Sequence, residues 1–259
     1  MGTSNDLQGE KMSELSGLYA IWQREFKVFL REKSRVVASI INPLMWLFIF
    51  GGGLGARFSV ENFNYQTFIY PGIIVMSTLF SSIFYGVYIV WDKRLDFLKE
   101  VLVAPLSRTT IFFGKVLGGV TDAMIQASIL FLLAPIFGIN FTFNFILIYI
   151  FLFILVVGLV SIGLTVGSLM ESPEGFGLII SSVNFPLFFL SGALYPLDDL
   201  PYWMSILTKI DPVTYGVDGI RGLMLGINTF GLVVDFLVLV GFAFLMILIG
   251  TFAFKRMKV

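Results

Sequence analysis

Apolar residues in this chain come in long runs separated by short polar breaks. Six runs approach the length, roughly 20 residues, that a helix needs to cross a bilayer. They are 36–56, 68–91, 111–137, 145–170, 177–194 and 231–254. Ahead of them lies a different pattern, "SELSGLYAIWQREFKVFLREKSR". There Leu18, Trp22, Phe26, Phe29 and Leu30 recur at helical spacing, while Arg24, Lys27, Arg31 and Lys33 take the other face. This predicts an amphipathic helix over 14–35, lying in the headgroup plane with its aromatics in lipid and its cations near phosphates. It serves either as a plain interfacial anchor or as a lever against a partner. The polar residues 1–13 lack the apolar core of a signal peptide and read as a disordered tail or cloning scar, with Met12 a candidate natural start.

Two of the polar breaks carry their own design. Between the second and third runs, Leu95, Leu98 and Leu102 line one helical face, with Lys93, Asp96, Lys99 and Glu100 around the rest. Pro105 ends that helix, and Ser107 can cap the next by accepting from an amide near Thr109 or Thr110. The expectation is a short helix over 92–103 and a tight corner; an ordinary short connection is the plain alternative. Between the fifth and sixth runs stands "SGALYPLDDLPYWMSILTKIDPVTYGVDGIRGLMLG". Asp199 with Pro201, and Asp211 with Pro212, open two helices too short to span yet too apolar for a free loop. Both are expected to dip into the outer leaflet and return, with their polar backbone ends shielded by protein and with Asp218 and Arg221 paired on one face. The segment acts as a structural plug or as a gate.

Charge gives the runs a direction. Six spans place both termini on one side. Fourteen Lys and Arg fall on that side and only Arg57, Lys209 and Arg221 on the other, so both ends are expected in the cytoplasm. The chain is 57% hydrophobic and 13% charged. That is about half the usual charged share of a soluble domain. With no Cys and no His, thiol chemistry, imidazole bases and the usual zinc sets are excluded. Within the spans Asp122 is expected to be the one acidic residue, and Asn42 and Asn184 stand close to Pro43 and Pro186, where they can satisfy freed backbone groups. Gly114 with Gly118, and Gly163 with Gly167, allow close helix contact. No G-x-x-x-x-G-K-[ST] loop is present, and "GGGLG" at 51–55 lacks the strand-then-helix setting of one, marking instead the outer end of the first span. No cofactor is expected on this chain.

The segments "LVAPLSRTTIFFGK" at 102–115, "SGALYPL" at 191–197 and "DPVTYGVDGIRG" at 211–222, in this order, resemble the permease subunit of a type-2 ABC exporter, the group of drug, lipo-oligosaccharide and polysaccharide export permeases. The likeness runs from about Leu15 to the end. It implies an all-α polytopic protein: an amphipathic connecting helix over 14–35 (Trp22, Arg24, Phe26, Lys27, Arg31), then a six-span domain over 36–259. It also implies a coupling helix between spans two and three, seated in an ATPase, with Arg94, Leu98, Glu100, Leu102, Pro105, Ser107 and Arg108 as the contact set. Short re-entrant external helices would carry a gate of Tyr195, Pro196, Pro201, Trp203, Asp211, Pro212, Tyr215, Asp218 and Arg221.

The partners implied are two copies of an ATP-binding subunit, which uses ATP and Mg, a second copy of this chain, and membrane lipids; no nucleic acid is expected. The location implied is the inner cell membrane. A pathway lined by spans one, two and five, rich in Phe, Met, Ser and Gly, suits an amphipathic or lipid-linked substrate. The competing reading is an ion-coupled carrier or channel built on Asp122.

Overall fold

The computed structural model describes residues 4–55, 59–60, 63–97, 106–139, 144–198 and 200–257. Helix α1, Ser4–Arg31, starts earlier than expected, so residues 4–13 extend it instead of forming a tail. Helix extension from an existing nucleus adds one hydrogen bond per residue fixed, which carries it across this polar stretch. At Glu32 (φ −86°, ψ 59°) the backbone leaves helical geometry before α2, Lys33–Trp46, begins. The stretches 14–31 and 36–52 meet at a 66° bend, so α1 does not continue the first span.

Helix α2 holds Pro43 and passes into a π turn, Leu47–Gly52, then a helical turn at Gly53–Gly55. The glycine run therefore does end the first span. A small hairpin, which the apolar pattern did not announce, follows: β1 (Ser59–Val60) pairs antiparallel with β2 (Phe63–Asn64), with Ser59 opposite Asn64. Asn64 then caps α3, Tyr65–Phe84, its side chain accepting from the Gln66 amide at 2.7 Å. After a break at Tyr85–Gly86 comes α4, Val87–Arg94. The remaining helices are α5 (Arg108–Leu133, ending in a 3₁₀ turn), α6 (Phe145–Leu169), α7 (Pro173–Leu190), α8 (Tyr202–Ile210), α9 (Pro212–Leu225) and α10 (Leu232–Arg256).

Five stretches are long and apolar enough to cross a membrane: Tyr65–Arg94, Arg108–Phe137, Phe145–Leu169, Pro173–Leu190 and Leu232–Arg256. The first expected span meets that test only jointly with α1. The protein is thus an all-α, multi-pass membrane protein. Its centre is the α3–α4 span, whose most apolar 18 residues are 72% buried, against 22% for the corresponding stretch of α7 and 17% for that of α10. Around α3 pack α5, α6 and α9, while α10 lies along α6 and α1 along α5.

Glycine sets the closest approaches. A Cβ on Gly86 would stand 1.9 Å from the Gly163 carbonyl oxygen, one on Gly163 2.2 Å from that of Ile83, and one on Gly167 2.3 Å from that of Gly86. The break in the second span is therefore pressed directly onto the backbone of α6. Gly114 and Gly118 receive α1, where added Cβ atoms would meet Ile21 at 2.8 Å and Glu25 at 2.6 Å. Both glycine pairs serve packing inside this chain.

Replacing Gly163 by Val should cost at least about 1–3 kcal/mol, the range typical of overpacking, read as a clear fall in the thermal midpoint of the purified protein. Gly52→Ala, where nothing lies within 4 Å, should leave the midpoint unchanged.

Candidate functional site

The Lys- and Arg-rich end of the bundle holds a buried charge cluster made by three elements. Lys115, 2% exposed, sits inside α5 and donates to Glu25 Oε1 of α1 at 2.9 Å and to Asp92 Oδ2 of α4 at 2.6 Å. Arg24 closes the ring, 2.7 Å from Glu25 and 2.8 Å from Asp92, with its guanidinium 3.7 Å above the Phe97 ring. The Tyr85 hydroxyl donates to the second Glu25 oxygen at 2.8 Å. Burial pushes the Glu25 carboxyl up, but Lys115 and Arg24 outweigh it and hold the group below the ordinary carboxylate range. An ammonium this deep is tolerable only because two carboxylates meet it.

Around the cluster, α1 runs along α5 in the same direction. Glu14 accepts from the Ser107 amide at 2.9 Å and from the Thr110 hydroxyl, and Ser107 caps α5 as expected, accepting from the Thr110 amide at 3.1 Å. Those bonds lower the exposed Glu14 carboxyl. Trp22 stacks on Phe26 and donates to Thr121 Oγ1 at 3.0 Å, so its polar edge faces α5. The expected layout is thereby corrected at two residues: Arg24 serves the ion cluster, and Trp22 the helix contact. Lys27 and Arg31 remain exposed.

The segment between α4 and α5 is fastened at both ends. Lys93 donates to the carbonyls of Gly167 (3.3 Å), Ser168 and Met170 (3.2 Å), which closes the C-terminus of α6. Arg108 does the same for α10, reaching the carbonyls of Lys255 and Met257, each at 2.9 Å. Both cations meet the negative ends of helix dipoles. The expected helix over 92–103 is broken: α4 runs on to Arg94, Leu95 is 72% exposed, and Asp96 has φ 55°. Arg94 lies 3.7 Å from Glu174 at the surface. Leu98, Glu100, Leu102, Pro105 and, at the far end, Asp199 lie outside the described residues.

Inside the bundle Asp122 is buried and accepts from Gln126, which accepts in turn from Ser81, a chain linking α5 to α3. Asp235, in the first turn of α10, is also buried, so Asp122 is not the one acidic residue within the spans. Among the described residues neither Asn42 nor Asn184 bonds to a freed carbonyl: Asn184 is buried with Oδ1 unpartnered, and Asn42 lines a groove. That groove, about 560 Å³, lies between α2, α3 and α7, with Trp46, Met76, Phe80 and Phe185 as apolar walls and Ser39, Asn42, Ser77 and Ser81 as polar points.

At the opposite end α9 is core and α8 is not. Val217 and Ile220 are fully buried, whereas Tyr202 and Trp203 are 83% and 62% exposed, so α9 lies inside the protein and α8 at its surface. The expected Asp218–Arg221 pair is replaced by two separate anchors, because each side chain reaches a loop packed over α9. Asp218 accepts from the Thr229 and Phe230 amides at 2.9 Å, and the buried Arg221 donates to the Gly192 carbonyl at 2.8 Å while lying 4.1 Å above the Phe68 ring. Asp211 caps α9 through the Val213 amide at 2.9 Å, behind Pro212. Tyr195 and Tyr215 donate to the Phe189 and Lys209 carbonyls at 2.6 and 2.8 Å. Pro196 is partly covered and Pro201 exposed at the start of α8.

The apolar pattern could not show the Lys115–Glu25–Asp92 cluster, because its members are far apart in sequence. The available signal was Glu25 on the apolar side of α1.

Two outcomes follow from these contacts. Lys115→Met should cost about 3–5 kcal/mol by leaving two buried carboxylates with only Arg24 between them, and combining it with Glu25→Gln should recover most of the loss, measured as thermal midpoints. Burial raises Asp211 from 3.8 to about 7, against the Val213 amide that favours its ionised form. Its folded form holds the proton more tightly than the unfolded chain, so stability should fall as pH rises from about 4 through 7. Asp211→Asn should flatten that slope in midpoints taken between pH 5 and 8.

The sequence matches the family model described as "ABC-2 type transporter" over residues 16–225. It is 31% identical over 234 residues to the inner membrane transport permease YadH of Escherichia coli strain K12, covering 87% of this chain and 89% of that one. To nodulation protein J of Rhizobium leguminosarum bv. viciae it is 25% identical over 211 residues, covering 80% and 82%. With its multi-pass helical fold, the chain belongs to the ABC-2 type transporter family and is a membrane transport permease.

Proposed function

We propose that this permease is the membrane half of an ATP-driven exporter, working as two copies with two copies of a separate ATPase in the inner cell membrane. Both termini lie in the cytoplasm, a reading that the distribution of Lys and Arg supports. The ATPase seats on the segment between α4 and α5, whose contact residues include Arg94 and Leu95 with Leu98, Glu100, Leu102 and Pro105. ATP and Mg stay on that partner, since this chain has no phosphate loop.

The observation that carries this reading is the fastening of that segment. Lys93 and Arg108 tie its two ends to α6 and α10, and the Lys115 cluster ties its flanks to α1. A push at either end of the segment is therefore carried to α6, α10 and α1. Arg108, occupied by the carbonyls of α10, belongs to this transmission and not to the partner's surface.

The helix surfaces support a two-copy pathway. From Leu232 to Phe252 the exposed residues of α10, among them Phe236, Leu237, Phe244, Leu248 and Phe252, are all apolar, as a lipid-facing stripe should be. The exposed face of α7 mixes Leu178, Ile179, Phe185 and Phe189 with Ser181, Ser182 and Pro186. Helix interfaces in membranes favour such small and polar residues. The groove between α2, α3 and α7 opens beside this face and accepts an amphipathic or lipid-linked substrate. A gate at the outer end uses α8 and α9, held by Asp211, Arg221 and Tyr215.

Co-purification with an ATP-binding subunit, with that subunit's turnover raised by the permease in vesicles, is the expected result. Glu100→Lys should then uncouple hydrolysis from transport and leave the two-copy assembly intact by light scattering. Transport that proceeds without any ATPase and is abolished by Asp122→Asn would instead establish the ion-coupled alternative.

A further inference from the structure

A cavity of about 520 Å³ opens between α4, α6 and α10, and it shares no lining residue with the groove of α2, α3 and α7. Leu169, Ile249 and Phe252 form its apolar walls, all three exposed, so it opens on the lipid-facing surface. Its polar groups differ in what they have left to offer. Lys93 has three N–H donors, and the carbonyls of Gly167, Ser168 and Met170 take them, with Glu171 as a counter-charge at longer range. The Thr165 and Ser168 hydroxyls donate to the Ser161 and Thr165 carbonyls, each at 2.6 Å, which leaves them as acceptors. Arg256 lies 4.2 Å above the Phe252 ring. Among the described residues neither the Arg256 nor the Glu171 side chain has a hydrogen bond or an ion pair. An uncommitted guanidinium and an uncommitted carboxylate thus border one cavity without meeting each other.

We propose that this cavity binds a phospholipid of the surrounding bilayer whose head carries both a phosphate and a primary ammonium. The phosphate sits on Arg256, the ammonium among Glu171, Thr165 and Ser168, and an acyl chain lies along Leu169, Ile249 and Phe252. The pattern of charges selects that head. The Arg256 guanidinium is a planar fork that matches phosphate oxygens two at a time, and basic pockets between spans at this depth suit lipid head groups. An anionic head without an amine would satisfy Arg256 but bring a second negative charge beside Glu171. A trimethylammonium head carries the right charges but no N–H, so it makes no hydrogen bond to the carboxylate or the hydroxyl oxygens. A primary ammonium has three donors and meets acceptors on three residues. The walls continue the apolar stripe of α10, which places the chain in lipid.

Such a lipid would brace the C-terminal ends of α6 and α10, the same two helix ends that Lys93 and Arg108 close. The site depends on the membrane-spanning fold and not on the transport reading. Glu171 and Arg256 are both exposed, so their substitution should leave the fold intact, checked as an unchanged thermal midpoint in lipid-free detergent.

Full-length, delipidated protein in detergent micelles is titrated with dioleoyl phosphatidylethanolamine, phosphatidylcholine or phosphatidylglycerol, and bound lipid is counted by native mass spectrometry. Phosphatidylethanolamine should bind about tenfold more tightly than either of the others, the ratio that one hydrogen bond to a charged group supplies. Glu171→Gln should bring phosphatidylethanolamine down to the phosphatidylcholine level. Glu171→Lys should make phosphatidylglycerol the preferred lipid, and Arg256→Gln should weaken all three. Glycerophosphoethanolamine, the same head without chains, should not displace the bound lipid at equal concentration. Equal binding of phosphatidylethanolamine and phosphatidylcholine, a parent protein that prefers phosphatidylglycerol, a preference untouched by Glu171→Gln, or displacement by the chainless head would overturn the proposal.

Discussion

A lysine ammonium buried at 2% exposure fixes the architecture of one whole end of this protein. Lys115 cannot stay charged there without Glu25 and Asp92, and these come from two other helices, so α1, α4 and α5 must meet at one point. The rest of that region accommodates this demand. Gly118 and Gly114 remove the side chains that would hold α1 away from α5, and Tyr85, at the break between α3 and α4, turns its hydroxyl onto Glu25. The break is possible because Gly86 can lie against the backbone of α6. A single desolvated cation thus links the packing of the interfacial helix to the shape of the most buried span.

The same end shows how the flanks of a charged segment between two membrane spans can be secured. Each of its flanking cations closes a different helix: Lys93 the C-terminus of α6 and Arg108 that of α10. Unsatisfied carbonyls at helix ends and unpaired cations are both costly in a thin interfacial layer, and joining them removes both costs. At the far end rigidity is shared unevenly. Helix α9 is bound by Arg221 and Asp218 to loops on either side, while α8 presents Tyr202, Trp203 and Ile210 outward. In a membrane transporter this contrast suits a fixed frame carrying an element free to contact lipid or a second copy.

Three helices of unequal burial, α2, α3 and α7, border a groove whose polar points are hydroxyls and one amide. Asp122, the acidic group on which ion coupling would rest, is instead engaged with Gln126 and, through it, Ser81. The bonding of that carboxylate favours a structural joint between α3 and α5 over a site open to solvent.

Much of this was set by the order of residue types alone. The six apolar runs, the lack of Cys and His, the position of Ser107 as a cap and of Asp211 before Pro212 follow from local rules of length, periodicity and turn chemistry. Local rules also placed Arg24 and Trp22 on the correct helix. They could not tell which neighbour each side chain would meet, and both turned inward. What the tertiary structure alone decided were the pairings between distant residues: Lys115 with Glu25 and Asp92, Arg108 with the end of α10, and Asp218 and Arg221 with separate loops. The physical reason is that hydropathy is a property of single positions. Whether a charge is solvated, paired or capping a helix depends on which backbone the fold brings within about 3 Å of it.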